Sequence, residues 1–401
     1  MKGWYIMKLL IKHARIVDSS GCFQGDVYIE NGTISRIGEN LEENCEVIDA
    51  DGLTLMPSLI DLHVHFRDPG FTYKEDIESG CRAAVKGGYT MVNLMANTNP
   101  PCSSMKIVDY VLKKVKKVGL IDAHQCVTIT NNFDGEDISH LDKLDEKVKI
   151  ISEDGKDVMN GKIMLKAMIK AKKLGKIVMC HSEEHSLSDI DMRLAENMMT
   201  WRNIEFSDYT GCPVHIAHVS TRESMEYIIK AKSMGVNVTC EVTPHHIILS
   251  GDNYRVNPPI RDKGDVDYLV NSIKRGWVDA ISTDHAPHTR EDKNKGAAGI
   301  SGIETAFSLC YTKLVKEGHI TLNRLSELMS KNPAEILQVK KGLVAPGYDG
   351  DLILVDLDDS YTIHGSEFES RGKNTAFEGF KVFGRVLKTI KAGKIVFERK
   401  N

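Results

Sequence analysis

Leu53-Thr-Leu-Met-Pro-Ser-Leu-Ile-Asp-Leu-His-Val-His-Phe-Arg67 is an apolar run closed by two histidines and an arginine. Read as a buried strand over Leu55–His65, its side chains alternate between two faces. His63 and His65 then point the same way, and Arg67 continues the alternation. Two imidazoles on one face at a strand end can share a metal ion. The guanidinium sets a fixed cation beside that ion, a pairing that suits hydrolysis of a carboxylate-bearing molecule.

The pair gains meaning from the runs that follow it. Apolar stretches recur at Tyr89–Ala96, Ile121–Thr130, Val148–Glu153, Lys176–His181, Val214–Val219, Val236–Val242 and Val278–Thr283. Amphipathic helical patterns fall between most of them, as at Ile77–Lys86, Met164–Leu174, Glu223–Met234 and Val266–Arg275. Eight strands alternating with helices predict an α/β fold, a closed (β/α)8 barrel of the TIM type. An open doubly wound sheet usually carries a glycine fingerprint after its first strand, and none stands here.

The two ends of the chain read differently. Lys8–Val17, Asp26–Glu30 and Thr33–Ile37 have strand character, the last two joined by the hairpin signal Asn31-Gly32. Strand character returns at Asp351–Asp356 and Val382–Ile390, with turns at Pro346-Gly347 and Ala392-Gly393. Residues 1–55 and 345–401 are therefore expected to form one small β-sandwich module, and residues 56–344 the metal-dependent barrel.

Composition narrows the function classes. The chain has 401 residues, 41% of them hydrophobic, enough for a large core. A net charge of −4 offers no basic excess to neutralise phosphates, which argues against nucleic acid. There is no apolar run long enough to span a membrane and no signal-peptide pattern at the start. Met7 begins the regular strand pattern, so the first six residues read as an alternative start or a frayed extension. Nine scattered cysteines without a C-x-x-C pair suggest reduced thiols in the cytoplasm. Cys180, beside His181, reads as a packed strand residue.

A barrel places its chemistry at the carboxyl ends of its strands. There the chain carries His63, His65 and Arg67, then Asn97, then Asp154, then His181, then His218, and finally Asp284. Neutral imidazoles of His63, His65, His181 and His218 suit zinc, and the Asp154 carboxylate can bridge two ions. Asp284 can ligate, take a proton from water and pass it to a leaving nitrogen. Arg67 and Asn97 suit a substrate carboxylate. His13, His124, His140, His215, His319 and His364 read as structural, and His185, His245, His246 and His285 as structural or supporting.

The strings Asp61-Leu-His-Val-His-Phe-Arg-Asp-Pro-Gly70, Met95-Ala-Asn-Thr-Asn-Pro100, Ser152-Glu-Asp-Gly155, His218-Val-Ser-Thr221, Val256-Asn-Pro-Pro-Ile-Arg261 and Thr283-Asp-His-Ala-Pro-His288 resemble the amidohydrolase superfamily. Within it they are similar to the type I bacterial dihydroorotase branch. The resemblance implies zinc, one or two ions, on His63, His65, His181 and His218, with Asp154 bridging and Asp284 as proton shuttle. It implies that Arg67, Asn97 and His288 hold a carboxylate, and that Asn257 and the backbone at Ala298-Gly299 meet a pyrimidine ring. The implied reaction is the reversible closure of N-carbamoyl-L-aspartate to (S)-dihydroorotate in pyrimidine synthesis. A homodimer is the expected assembly, with aspartate transcarbamoylase as a further candidate partner.

Two departures stand out: a compact Ser182–Ala217 between the histidines of strands five and six, and Ala298 where relatives often carry proline. Thr289–Ala298, charged and glycine-bearing, reads as a mobile lobe over the site. Hydantoinases, dihydropyrimidinases and allantoinases share the barrel and most ligands, but they expect a carboxylated lysine as bridge and no arginine for a carboxylate. Lys149 stands on the fourth strand, yet Asp154 at its end is better placed. A non-catalytic partner of aspartate transcarbamoylase is the remaining alternative. Such proteins usually lose ligands that this chain keeps.

Overall fold

The computed structural model describes residues 7–400. The expected extension ahead of Met7 lies outside the described residues. The first strands are β1 (Lys8–Asp18), β2 (Gly21–Glu30), β3 (Thr33–Gly38), β4 (Glu46–Asp49) and β5 (Thr54–Pro57). Asn31 and Gly32 both take positive φ, 53° and 83°, as the tight hairpin between β2 and β3 requires.

The run that was expected to form one strand forms two. β5 pairs with β1 on one side and with a strand from the far end of the chain on the other. At Ser58 the chain changes partner: its N–H donates to Asp351 O, and the next N–H, of Leu59, donates to Gly88 O. From there β6 (Leu59–Val64) runs into the barrel, followed by β7 (Tyr89–Leu94), β8 (Asp122–Gln125), β9 (Ile150–Ser152), β10 (Ile177–Cys180), β11 (Val214–Ile216), β12 (Val238–Val242) and β13 (Ala280–Ile281). The expected division at residues 55 and 56 falls inside β5.

β6 to β8 form one parallel sheet and β9 to β13 another. Parallel bridges Val127–Ile151 and Val64–His285 join the two sheets at both edges and close the ring. Every residue of β6, β7 and β9 is buried, so these strands show the continuous apolar character of a parallel barrel in place of alternation. β13 is shorter than the expected Val278–Thr283 because polar residues that serve the site begin at Ser282.

The outer helices follow from the amphipathic pattern. Ile77–Lys86 has the expected bounds, closed at its start by a capping box of Asp76 and Ser79. Gly161–Lys173, Arg222–Ser233 and Lys263–Lys274 start earlier than their apolar periodicity, because Asn160, Thr221 and Asp262 accept backbone N–H bonds there. Each such cap is worth about 1 kcal/mol.

The chain returns as β14 (Leu352–Thr362), β15 (Lys381–Lys391) and β16 (Lys394–Glu398), completing the order β16-β15-β14-β5-β1-β2-β3, with β4 beside β1. Leu9, Ile11, Ile16, Leu55, Leu352 and Ile390 belong to the apolar cluster of this sheet, separate from the barrel core. A third cluster, with Val256, Ile300, Phe368 and Phe377, pins the long β14–β15 connection against the barrel's upper rim. Among the described residues, no helix is long and apolar enough to cross a membrane.

Candidate metal centre and substrate cavity

Five barrel strands deliver the polar residues to one place. β6 supplies His63 and leads into His65, and Asp154, His181, His218 and Asp284 follow β9, β10, β11 and β13. Arg67 reaches the site by a different route from strand alternation. β6 stops at Val64, and Arg67 sits in a left-handed turn at φ 58°. His218 and Asp284 are also left-handed, at 33° and 44°. Non-glycine residues held there cost roughly 1–3 kcal/mol each, strain that concentrates at functional positions.

Asp154 lies at the centre. Its Oδ1 is 3.2 Å from His63 Nε2, 3.4 Å from His181 Nδ1 and 3.8 Å from His218 Nε2. Its Oδ2 is 3.5 Å from His65 Nε2. Asp284 Oδ1 lies 3.1 Å from His65 Nε2 and 3.7 Å from His63 Nε2. One carboxylate thus spans two groups of nitrogen donors, as a bridging ligand does. Among the described residues, His63, His65 and Asp284, and likewise His63, Asp154 and His218, hold their ligating atoms within 4.8 Å of one another.

These residues fit zinc. His63 Nε2 is buried with no hydrogen-bond partner although a carboxylate oxygen stands nearby. His181 Nδ1 and His218 Nε2 are 2.8 Å apart, and two ring nitrogens that close need a proton or a cation between them. The rings are also held with lone pairs facing inward. His63 donates its Nδ1–H to Glu241 (2.9 Å), His65 donates its Nδ1–H to Asn97 Oδ1 (2.8 Å), and His181 donates its Nε2–H to Glu183 (2.9 Å). Such partners fix the tautomer and raise ligand basicity.

Glu183 and Glu241 were not singled out from the sequence. Both left a signal: Glu183 stands two residues after His181, and Glu241 is a carboxylate inside an otherwise uncharged, buried strand. Glu241 also accepts from His215 (3.2 Å) and Ser282, so His215, read as structural, stands directly behind a candidate ligand. Asp61 accepts from Thr283 in the same layer. Lys149 donates to the carbonyls of Leu337 and Gln338, away from the cluster.

Electrostatics follow the crowding. Burial pushes the Asp154 carboxyl up, yet His63, His181 and His218 hold it well below the usual carboxylate range. Burial lowers His181, but Asp154 and Glu183 outweigh it and push the imidazole up to about 10. Two buried carboxylates among these rings demand positive charge at the centre. Burial, then Arg67 and Lys74, push His288 down to about 3, so its ring is neutral.

Above the cluster lies a cavity of about 220 Å³, lined by His65, Arg67, Asn97, Asp154, Gly155, His181, His218, Asn257, Asp284, Ala286, His288, Ala298 and Gly299. Arg67 is half-buried, with its Nε out of contact with solvent and unpartnered. His288 donates its Nε2–H to Ala298 O (2.9 Å) and accepts at Nδ1 from Lys74 Nζ (3.3 Å). Asn97 donates to Asp154 Oδ2 (3.1 Å), and Asn257 donates to Glu183 (2.7 Å). Gly299 N–H donates to Arg255 O, whereas Ala298 N–H donates to no protein group among the described residues. The segment expected as a lobe contains the helix Arg290–Asn294, closed by a capping box of Thr289 and Asp292.

The profile of the amidohydrolase family matches residues 54–396. The dihydroorotase of Clostridium botulinum (strain Eklund 17B / Type B) is 52% identical over 398 residues, covering 98% of this chain and 100% of that one. The dihydroorotase of Ruminiclostridium cellulolyticum (strain ATCC 35319 / DSM 5812 / JCM 6584 / H10) is 38% identical over 425 residues, covering 98% and 99%. Among solved structures, the L-hydantoinase (dihydropyrimidinase) from Arthrobacter aurescens superposes with a TM-score of 0.89 at 24% identity, covering 98% of this chain and 96% of that one. The dihydropyrimidinase from Brevibacillus agri NCHU1002 gives 0.87 at 24% identity, with the same coverage. At that identity the likeness speaks for the fold alone.

Proposed function

The chain belongs to the amidohydrolase family, and from that premise we propose that it closes N-carbamoyl-L-aspartate to (S)-dihydroorotate and opens the ring again, as a dihydroorotase does. One observation carries the reading: a half-buried guanidinium, Arg67, whose Nε is buried and unpartnered, faces the cavity whose floor is the histidine–aspartate cluster. A cyclic amide that bears a carboxylate uses both parts. A plain hydantoin ring has no group for the arginine.

In this proposal His63, His65, His181, His218, Asp154 and Asp284 hold zinc. When bound, the metal polarises a carbonyl and lets water act as hydroxide near neutral pH. Asp284 carries the proton between that water and the ring nitrogen, and its position 3.1 Å from His65 Nε2 keeps its Oδ1 at the metal side of the cavity. Arg67 takes the substrate carboxylate in a bidentate pair, with His288 beside it and Asn97 releasing its bond to Asp154 to join them. Asn257 and the backbone at Ala298 and Gly299 face the ring, where the Ala298 N–H has a hydrogen bond to give. Burial in a dry cavity strengthens each of these contacts.

The same proposal divides the chain into a module of residues 1–55 and 345–401 and a barrel of residues 56–344, with β5 crossing the first boundary. The cluster of Leu9, Ile11, Leu352 and Ile390 supports the module, while Val17, Ile353, Val355 and Val386 pack into the barrel core and join the two. It places the enzyme in the cytoplasm, in keeping with nine free thiols, seven of them buried. It makes the assembly a homodimer, for which the exposed Leu194, Met198, Trp201 and Tyr209 of the helix Met192–Thr210 offer an apolar stripe. Association with aspartate transcarbamoylase, whose product is the substrate here, belongs to it as well.

The test is purified protein with its zinc quantified, assayed side by side on dihydroorotate, hydantoin and allantoin. Turnover of dihydroorotate well above the other two is the expected result. Preference for an uncarboxylated ring would overturn the reading.

A further inference from the structure

The β14–β15 connection leaves the terminal sheet and runs to the rim of the barrel. Its stretch Ser370-Arg-Gly-Lys-Asn374 touches the walls of the substrate cavity at several points, though it contributes no residue to the cavity lining. Asn374 makes five hydrogen bonds there. Its Oδ1 accepts from His288 N–H (3.1 Å) and Ser301 Oγ (3.3 Å), its Nδ2 donates to Gly299 O (3.1 Å) and Tyr254 Oη (3.4 Å), and its carbonyl accepts from Ser301 N–H (2.8 Å). The amide can point only one way, because a backbone N–H must meet the oxygen and a backbone carbonyl the nitrogen.

The rest of the stretch is fitted as closely. Gly372 lies so near the rim that a Cβ on it would stand 2.5 Å from Pro287 Cβ and 2.9 Å from Ser301 Oγ. The Ser370 hydroxyl and the Arg371 N–H donate to Glu75, which also lies 3.4 Å from the buried His285 Nε2. Phe368 and Phe377 anchor both flanks in the apolar cluster with Val256 and Ile300.

We infer that Asn374 is a positioning residue for the substrate: from outside the barrel it holds His288 and Gly299 at one spacing, and so sets the wall that meets the carboxylate and the ring. This rests on the dihydroorotase reading for the identity of the substrate, and on the geometry alone for the brace. His288 and Gly299 lie on opposite sides of the Arg290–Asn294 helix in sequence. One side chain bonded to the backbone of both removes their freedom to move apart. Fixed geometry at a binding wall contributes through preorganisation, so its loss weakens substrate binding more than the chemical step.

The experiment compares the zinc-loaded wild-type enzyme with Asn374→Ala and Asn374→Asp. Asn374→Ala loses all four side-chain bonds and is expected to raise KM for dihydroorotate roughly tenfold or more, the equivalent of one or two hydrogen bonds to the substrate, with kcat changed by less than about threefold. Zinc content should stay as in wild type, and amide hydrogen exchange across residues 286–301 should speed up. Asn374→Asp keeps the acceptor for His288 N–H but sets an anion against Gly299 O, so its KM should also rise while the 288 amide stays protected. An unchanged KM together with unchanged exchange in 286–301 overturns the inference, as does a fall in melting temperature with KM unmoved. If the wild type fails to turn over dihydroorotate, the functional reading falls, and the exchange of 286–301 in the two variants still decides the brace. Should the alanine variant not fold, the aspartate variant carries both readouts.

Discussion

At the scale of single residues, recognition falls to Arg67 and proton transfer to Asp284 in the proposed function. Arg67 is a half-buried cation whose Nε has no partner and whose Nη2 lies 3.4 Å from His288 Nε2, and a substrate anion is its proposed partner. Arg67→Met should lower kcat/KM for dihydroorotate by at least about a hundredfold, the cost of losing one partner of a buried charged pair, with zinc still bound. Steady-state kinetics beside a metal determination check this, and near-normal kinetics would remove the carboxylate role. Asp284→Asn should fold and keep zinc on the remaining ligands while kcat falls by about 10²–10⁴, the usual share of a general acid–base group. Little change in kcat would exclude it as the shuttle. The sequence picked out both residues, but it reached Arg67 by the wrong geometry. Strand alternation was to aim it, whereas the strand ends three residues earlier and a left-handed turn does so. Glu241 was missed because its partner His63 lies 178 residues away and leaves no local pattern, whereas Glu183 stands two residues after His181 and was legible there.

At the scale of elements, β5 and β6 show what one apolar run can conceal. Periodicity reports burial, and burial is the same on both sides of Ser58, so nothing in the run marks where one sheet ends and the next begins. The join between the two units is reinforced by Lys341, whose buried ammonium meets Asp122 at 3.0 Å, Asp349 at 3.0 Å and Asp351 at 2.6 Å. Asp122 opens β8 in the barrel, and Asp351 directly precedes β14 in the terminal sheet. Lys341→Met leaves the buried Asp351 without its cation, while Asp122 keeps Lys391, and should destabilise the protein by about 3–5 kcal/mol, read by denaturant unfolding. The pH dependence has a definite sign. Burial raises the Asp122 carboxyl, but Lys341 and Lys391 outweigh it and hold it below the ordinary value of 3.8. A depressed carboxylate contributes stability above its unfolded pKa and loses it as pH falls through the folded one. Wild type should therefore lose this contribution below about pH 4, and the acid slope should be shallower in Lys341→Met. An equal slope would remove the coupling.

At the scale of the whole molecule, the long connection of the terminal sheet reaches the barrel rim. There Asn374 adds its hydrogen bonds to a wall that the barrel already ties through Ala286 N–H to Ile300 O and His288 to Ala298 O. Zinc on the proposed ligands, which lie in or follow β6, β9, β10, β11 and β13, would tie these strands together. Removing it with a chelator should lower the melting temperature, and the midpoint should rise with free zinc, as it must for any ligand that binds the folded state alone. A midpoint indifferent to zinc would show that the centre does not hold the metal. What the sequence determined by itself was the alternation of eight apolar runs with amphipathic helices, and a donor at the end of each strand that needs one. Both are local: strand and helix periods, and a chemical type at a position, are written in neighbouring residues. What only the tertiary structure decided was that Glu241 stands behind His63, where the chain crosses from sheet to barrel, and that Asn374 reaches His288 and Gly299. Those contacts join residues far apart in the chain. Their distances follow from how whole elements pack, which no short stretch of sequence encodes.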